Sequence, residues 1–417
     1  MDGIAFRCMY ENSVGGIIFS GMVKDHLSGT SVEFKCTAGV EIPKTEYREA
    51  QTKQRPLEDD RELDYFFLSS YTPPMIHVLM QEIKRRRVHT VILPYVTPVA
   101  RLQILSDYES GHVGMQKKRA LGRQTEGSGV SVRIADEVAE FLKSPDAALQ
   151  KLGVKKRYFL YQNGKDLPRD YAGMDQAITS MEEGEYFEEP SAELCAYVES
   201  MEGQSINLKK AGYIKKANWL FYPGVYGPDI RNADRSLYTH TTMVLYTGPV
   251  DTDCSKIVAK VHESSINMET RCRNQDLDSS VTGCVKCLYD SEYVTFRSIN
   301  KDPVPHEVFG HFLLGTYNLN RHLGEMLNRF SGIREMIRIN AIPNCGSKES
   351  WNRCFPSLFP GNYSKFWFLN IMPYTDSQVM LDIAKTSPRN RFLLGTDQIN
   401  YCISGRILKK DADNSFL

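Results

Sequence analysis

Two hydrophobic periods alternate along this chain, and they meet most clearly between Asp64 and Tyr95. Asp64 to Leu68 is a short apolar run with the character of a buried strand. Ser69 to Pro74 is built of turn formers. Met75 to Arg86 reads as a helix, and Thr90 to Leu93 as a second strand. Strand, loop, helix and strand at this spacing predict a parallel βαβ unit with its loop at the carboxyl edge of the sheet. Open α/β sheets place their chemistry at that edge.

Upstream, residues 4 to 42 alternate apolar and polar positions and carry turn glycines. Ile17 to Val23 and Val32 to Cys36 predict a hairpin. Residues 43 to 62 are polar and predict a loop with a short helix. Downstream, Pro98 to Asp107 predicts a short helix, and Asp136 to Lys143 is amphipathic. Ser144-Pro145-Asp146 has the order of an N-cap, a first-position proline and a first-turn acid, with Gly153 as the stop. Tyr158 to Tyr161, Thr242 to Tyr246, Gly310 to Thr316 and Lys365 to Met372 predict strands. Met326 to Ile337 and Asp376 to Lys385 predict helices. Arg391 to Thr396 with Ile399 to Ile407 predict a closing hairpin. Residues 165–215 read as an insertion, and residues 250–309 as a second, cysteine-containing one. The expected organisation is one domain over 1–408 with both insertions inside it, and a polar tail at 409–417.

Composition narrows the function classes. The chain has 417 residues, and 51 Lys and Arg balance 51 Asp and Glu, so no global field draws it to nucleic acid or anionic membrane. The basic run Lys84-Arg85-Arg86-Arg87 complements the dipole at a helix end; nucleic-acid binding is the sharper but weaker reading. No basic start followed by an apolar run marks a signal peptide, and no stretch is apolar enough to span a bilayer. The expectation is a cytoplasmic protein with its ten cysteines reduced.

The loop after Leu68, with Leu313-Leu314-Gly315-Thr316-Tyr317-Asn318-Leu319 and Pro343-Asn344-Cys345-Gly346-Ser347, carries a resemblance. These words resemble metal-site segments of metallo-β-lactamase-fold hydrolases, in particular the ComEC- and ribonuclease Z-like branch. The resemblance implies a four-layer αββα sandwich, and it brings Ser70, Thr316 and Asn344 or Cys345 together at one sheet edge. It also implies a degenerate centre. Where active members hold two metal ions, this chain has Ser70, Thr72, Pro74, Met75, Thr316, Asn344, Cys345 and Thr375. His240 is the nearest counterpart of a further histidine. Hydroxyl and thioether side chains hold zinc poorly and proline has no donor. On this reading the ancestral site has no cofactor and no residue is catalytic.

One other cluster has ligand chemistry. Cys284-Val285-Lys286-Cys287 with Cys272 and His262, or Cys254 in place of the histidine, offers four ligands for one structural zinc. Packed thiols in an insertion are the alternative. The sequence therefore points to a non-catalytic interaction or regulatory subunit whose partner is another protein. The competing class is a divergent metal-dependent hydrolase of the phosphodiesterase or nuclease type, with non-standard ligands.

Overall fold

The computed structural model describes residues 3–13, 16–39, 62–106, 128–161, 184–188, 190–202, 206–227, 241–250, 254–263, 304–306, 310–359, 365–370, 375–387, 390–395 and 401–409. Three strands open the chain: β1 (Gly3–Ser13), β2 (Gly16–Asp25) and β3 (Ser31–Gly39). The predicted βαβ unit follows as β4 (Leu63–Phe67), α1 (Pro73–Arg85) and β5 (Val88–Pro94). Next come α2 (98–106), α3 (Ser128–Lys143), α4 (Pro145–Lys151), β6 (Lys156–Tyr161), β7 (Gly184–Glu188), α5 (Ala192–Glu202), β8 (Leu208–Lys216) and β9 (Trp219–Tyr226). The remainder holds β10 (Thr242–Pro249), β11 (Cys254–Glu263), β12 (Val304–His306), β13 (Gly310–Leu313), α6 (Leu319–Phe330), β14 (Ile337–Ala341), β15 (Phe366–Asn370), α7 (Ser377–Thr386), β16 (Arg391–Gly395) and β17 (Tyr401–Lys409).

Local chemistry explains the first unit. Prolines occupy the first positions of α1, where their missing N–H would be unpaired in any case. Lys84 and Arg85 sit in its last turn, favourable to the helix dipole. The helix then returns the chain so that β5 runs parallel to β4, with Tyr65 opposite Thr90.

The expected αββα sandwich is not what forms. A sandwich needs two separate sheets, whereas here the seventeen strands among the described residues belong to one hydrogen-bonded sheet. That sheet closes on itself as a large, nearly complete mixed barrel. Two parallel runs lie within it: β3, β4, β5, β6 and β8, then β13, β14, β15 and β16. Antiparallel strands join them. Ala217 and Asn218, both at positive φ, form a two-residue turn between β8 and β9, the conformation that suits tight hairpins. β9 pairs with β10 over eight residues, and β10 pairs with β13. These joining strands remove the gap that a sandwich requires. The stretch 165–215, read from the sequence as an insertion, holds β7, α5 and nearly all of β8, which belong to this join.

The expected closing hairpin is also absent among the described residues. β16 pairs with β15, while β17 pairs with β1 and β11. The predicted strand over 310–316 is shorter, ending at Leu313, because Gly315 turns the chain at positive φ.

Alternation decides what fills the barrel. Inward side chains such as Phe19, Phe34, Phe67, Trp219, Phe221 and Phe368 pack as one interior core. Each fully buried aromatic or aliphatic side chain contributes on the order of 1.5–3 kcal/mol. The interior also holds a polar pair: Tyr10 Oη lies 2.7 Å from His311 Nδ1. Burial pushes His311 down to about 3, so the imidazole is neutral at physiological pH. Outward residues of the first parallel run are covered by α1, α3 and α4. Those of the second are covered by α6, α7 and the loop that includes Trp351, Phe355 and Phe359.

Candidate functional site

Parallel strands deliver their carboxyl ends to one rim, and most of the sequence-selected residues meet there. Gly39 ends β3. A Cβ on it would lie 2.7 Å from Ser70 Oγ, 2.9 Å from Thr72 Oγ1 and 3.1 Å from Met75 Cγ. Only glycine admits so close an approach of the loop after β4. Gly39 N–H donates to Ser69 Oγ at 3.2 Å, and Ser69 N–H donates to Thr37 Oγ1 at 3.1 Å. Ser70 bridges to Thr242, and Met243 N–H donates to the Ser69 carbonyl at 2.7 Å. The loop is thereby tied to β10.

The second parallel run reaches the same rim. A Cβ on Gly315 would stand 3.3 Å from Ser69 Oγ, which sets Thr316 beside the loop that holds Ser70. Asn344 N–H donates to the Gly315 carbonyl at 2.8 Å. Asn344 Nδ2 donates to Ser350 Oγ at 2.6 Å and to the Thr316 carbonyl at 3.4 Å. Thr375 Oγ1 donates to the Cys345 carbonyl at 2.8 Å. Ser70, Thr72, Met75, Thr316, Asn344, Cys345 and Thr375 are thus one contiguous, buried cluster. Pro74 lies half-buried in the first turn of α1.

Backbone strain marks one part of this rim. Asn344 and Cys345 have φ of 44° and 51°, followed by Gly346 at 74°. Left-handed backbone costs a residue with a side chain on the order of 1–2 kcal/mol. The neighbouring hydrogen bonds hold it in place. The side chains here are chiefly neutral donors and acceptors: Asn344 and Thr375 bond to backbone of adjacent turns, while Ser70 Oγ, Thr72 Oγ1 and Thr316 Oγ1 are buried with no hydrogen-bond partner among the described residues. Such an arrangement joins the two parallel runs mechanically.

Of the zinc candidates, Cys272, Cys284 and Cys287 lie outside the described residues, as does His240. His262 is placed on β11, opposite Cys402 of β17. Among the described residues no group of three or more His, Cys, Asp or Glu could hold a metal ion.

The basic run is engaged with acids. Lys84 pairs with Glu137 of α3, Arg86 with Glu82 and Glu33, and Arg87 with Glu62 at 2.9 Å. Glu82 also accepts from Lys35 Nζ at 2.8 Å. Burial raises the Glu82 carboxyl, but Lys35 and Arg86 together pull it below its ordinary value.

Sequence reasoning placed Gly39 and Ser69 in turns and Gly315 at a strand end, but gave them no part in bringing the rim together. Their signal was small residues at successive strand ends, which carries no period. It also missed a surface feature. Val99 and Leu102 of α2 are 70% and 59% exposed, and Tyr197 of α5 is 62% exposed. A buried ion pair between Arg101 and Glu202 clamps α2 to α5.

The sequence matches no protein-family model and no curated protein. No helix among the described residues is long and apolar enough to cross a membrane.

Proposed function

We propose that this chain is a non-catalytic interaction or regulatory protein whose partner is another protein. The observation that carries the reading is the trio Val99, Leu102 and Tyr197. These are large apolar side chains left in water on two helices that an ion pair holds together. Tyrosine and leucine on a rigid support make contact area at low entropic cost, and tyrosine is enriched at the centres of interfaces. The rim supports the same reading. Ser69, Asn344 and Thr375 are buried there and tie strand ends together, so they serve the scaffold that presents the helices.

The test compares the full chain with a Leu102→Asp, Tyr197→Asp double variant, each tagged and recovered from the native host. The expected outcome is a specific protein retained by the native chain and lost from the variant, with equal melting temperatures. Equal retention by both proteins would reject the surface. Separately, zinc- or manganese-supplemented protein should not hydrolyse nitrocefin, bis-p-nitrophenyl phosphate or single-stranded nucleic acid above background. Turnover that stops on chelation would overturn the non-catalytic half of the proposal.

A further inference from the structure

A cleft of about 460 Å3 lies among the first turns of α6 and α7 and the loop that follows β14. Its size is that of a small-molecule site. Internal bonds fix its walls. Asn320 Nδ2 of α6 donates to the Lys348 and Glu349 carbonyls at 3.2 and 3.0 Å, which ties that helix to the loop. Trp351, 7% exposed, donates its indole N–H to Asp382 Oδ2 at 3.2 Å. Gln378 Nε2 donates to Asp382 Oδ1 at 2.8 Å. Both oxygens of Asp382 are therefore occupied, and they tie the loop to α7. Asp376 caps α7, its Oδ1 accepting from Gln378 N–H at 2.9 Å.

What the walls leave over is a set of charges. Lys348 and Arg353 line the cleft, and neither side chain makes a hydrogen bond or ion pair among the described residues. Elsewhere the chain treats such cations differently: Lys84, Arg86 and Arg87 each meet a carboxylate. Asp376, which lines the same cleft, keeps Oδ2 without a donor among the described residues. Asn352 spends Oδ1 on the Cys354 N–H at 3.0 Å and keeps its amide N–H groups. Asn320 and Gln378 keep their amide oxygens. A plain anion suits this set poorly, because Asp376 and Asp382 repel it, and a plain cation meets Lys348 and Arg353. A molecule that carries both signs satisfies both.

We propose that this cleft binds a polar zwitterion of the amino-acid class, with its carboxylate on Lys348 and Arg353 and its ammonium on Asp376. Hydrogen bonds between ionised groups are roughly twice as strong as neutral ones, so these contacts carry the affinity. The spare amide groups of Asn320, Asn352 and Gln378 supply donors and acceptors for a neutral polar side chain or a peptide group. A free amino acid and a short peptide share that chemistry. The site uses no residue of the α2 and α5 surface, so the two proposals stand or fall separately.

The experiment is equilibrium dialysis of the full chain against radiolabelled L-glutamine in one arm and triglycine in the other, each up to about 10 mM. The expected result is saturable, one-site uptake in at least one arm, and the tighter arm names the source. Blocking either end of the ligand, by amidation or N-acetylation, should weaken binding at least about tenfold. So should Lys348→Ala with Arg353→Ala, and so should Asp376→Asn, which keeps the helix cap because Asn caps as well as Asp. Cys354 is exposed and lines the same cleft. Its alkylation by iodoacetamide, followed by peptide mapping, should slow as the ligand saturates, while that of Cys195 on α5 does not change. Four results overturn the proposal: no saturable uptake in either arm, equal uptake of the blocked ligands, uptake that leaves Cys354 unprotected, or acetate or phosphate bound as tightly as the zwitterion. If a variant fails to fold, the blocked ligands and Cys354 protection on the native chain decide between these outcomes.

Discussion

The two parallel runs of the barrel each bury a lysine on the face their covering layer packs against, and they settle it differently. Lys35 of β3 is 6% exposed and meets Glu82 of α1, which also receives Arg86. Lys365, just before β15, is 5% exposed and, among the described residues, meets the Phe359 ring and the repulsion of Arg338. A helix that brings an acid lets a strand bury a cation as an ion. The aromatic cover brings none among the described residues, and burial beside Arg338 lowers the amine to about 7 instead. The same residue type at similar burial is a structural counter-ion in one run and a chemically available amine in the other. What differs is the layer above.

The largest effect should come from breaking the solved case. Glu82→Ala leaves Lys35 and Arg86 without their shared acid, and loss of one partner from a buried pair costs about 3–5 kcal/mol. Urea denaturation should show it. The sign also follows for acid. Because the folded Glu82 pKa is lowered, its contribution is present above the unfolded value and is lost as pH falls through the folded one. Glu82→Gln should therefore flatten the acid limb of the stability profile.

Next in size is Gly39→Ala, at the end of the same strand as Lys35. Its Cβ would press on Ser70 Oγ and Thr72 Oγ1 inside 3 Å. Displacing that loop should cost about 1–3 kcal/mol. An unchanged melting temperature would mean that the rim is loosely joined.

Lys365→Met sharpens the unsolved case. The folded pKa is lowered to about 7, so the unfolded chain binds more protons between there and about 10.4. Native stability should rise with pH across that window, and the penalty should be complete below it. The methionine variant, free of that penalty, should gain several kcal/mol on the native chain from about pH 10 down to about pH 6, at about 1.4 kcal/mol per pH unit across that window. A gap that does not change with pH would mean the lysine stays charged.

The smallest effect is expected from Lys84→Ala. Its pair with Glu137 is 48% and 39% exposed. Such surface pairs contribute well under about 1 kcal/mol, so thermal melting should scarcely move.

The sequence made the local units legible and the closure illegible. The change from strand to helix period between Asp64 and Tyr95 marks β4, α1 and β5 to within a few residues. Asp376 caps α7 through Gln378 N–H, as its position implies. Ser144 stands at the N-cap of α4 but makes no side-chain cap bond, so position alone did not secure the interaction. Closure depends on β9, β10 and β13 finding one another, and alternation names a strand's faces without naming its neighbour. The sandwich expectation failed there. The meeting of Ser70, Thr316 and Asn344 did not depend on it, because the loop after β4 and the turns after β13 and β14 touch directly through Ser69, Gly315 and Asn344. The setting of Lys365 was unreadable for a related reason: Arg338 becomes its neighbour only through β14–β15 register.

The placement of β17 has a consequence for how the molecule is made. It lies between β1 and β11, with Gly3 opposite Leu408 on one side and Ala259 opposite Gly405 on the other. Until the last strand emerges from the ribosome, β1 and β11 each present a row of unpaired N–H and C=O groups. Such open edges recruit strands from other chains. Contacts between the first and last strands also carry the largest loop-closure cost, which slows their formation. Synthesis is therefore a vulnerable period for this protein, and a nascent chain shielded until β17 has paired should aggregate less.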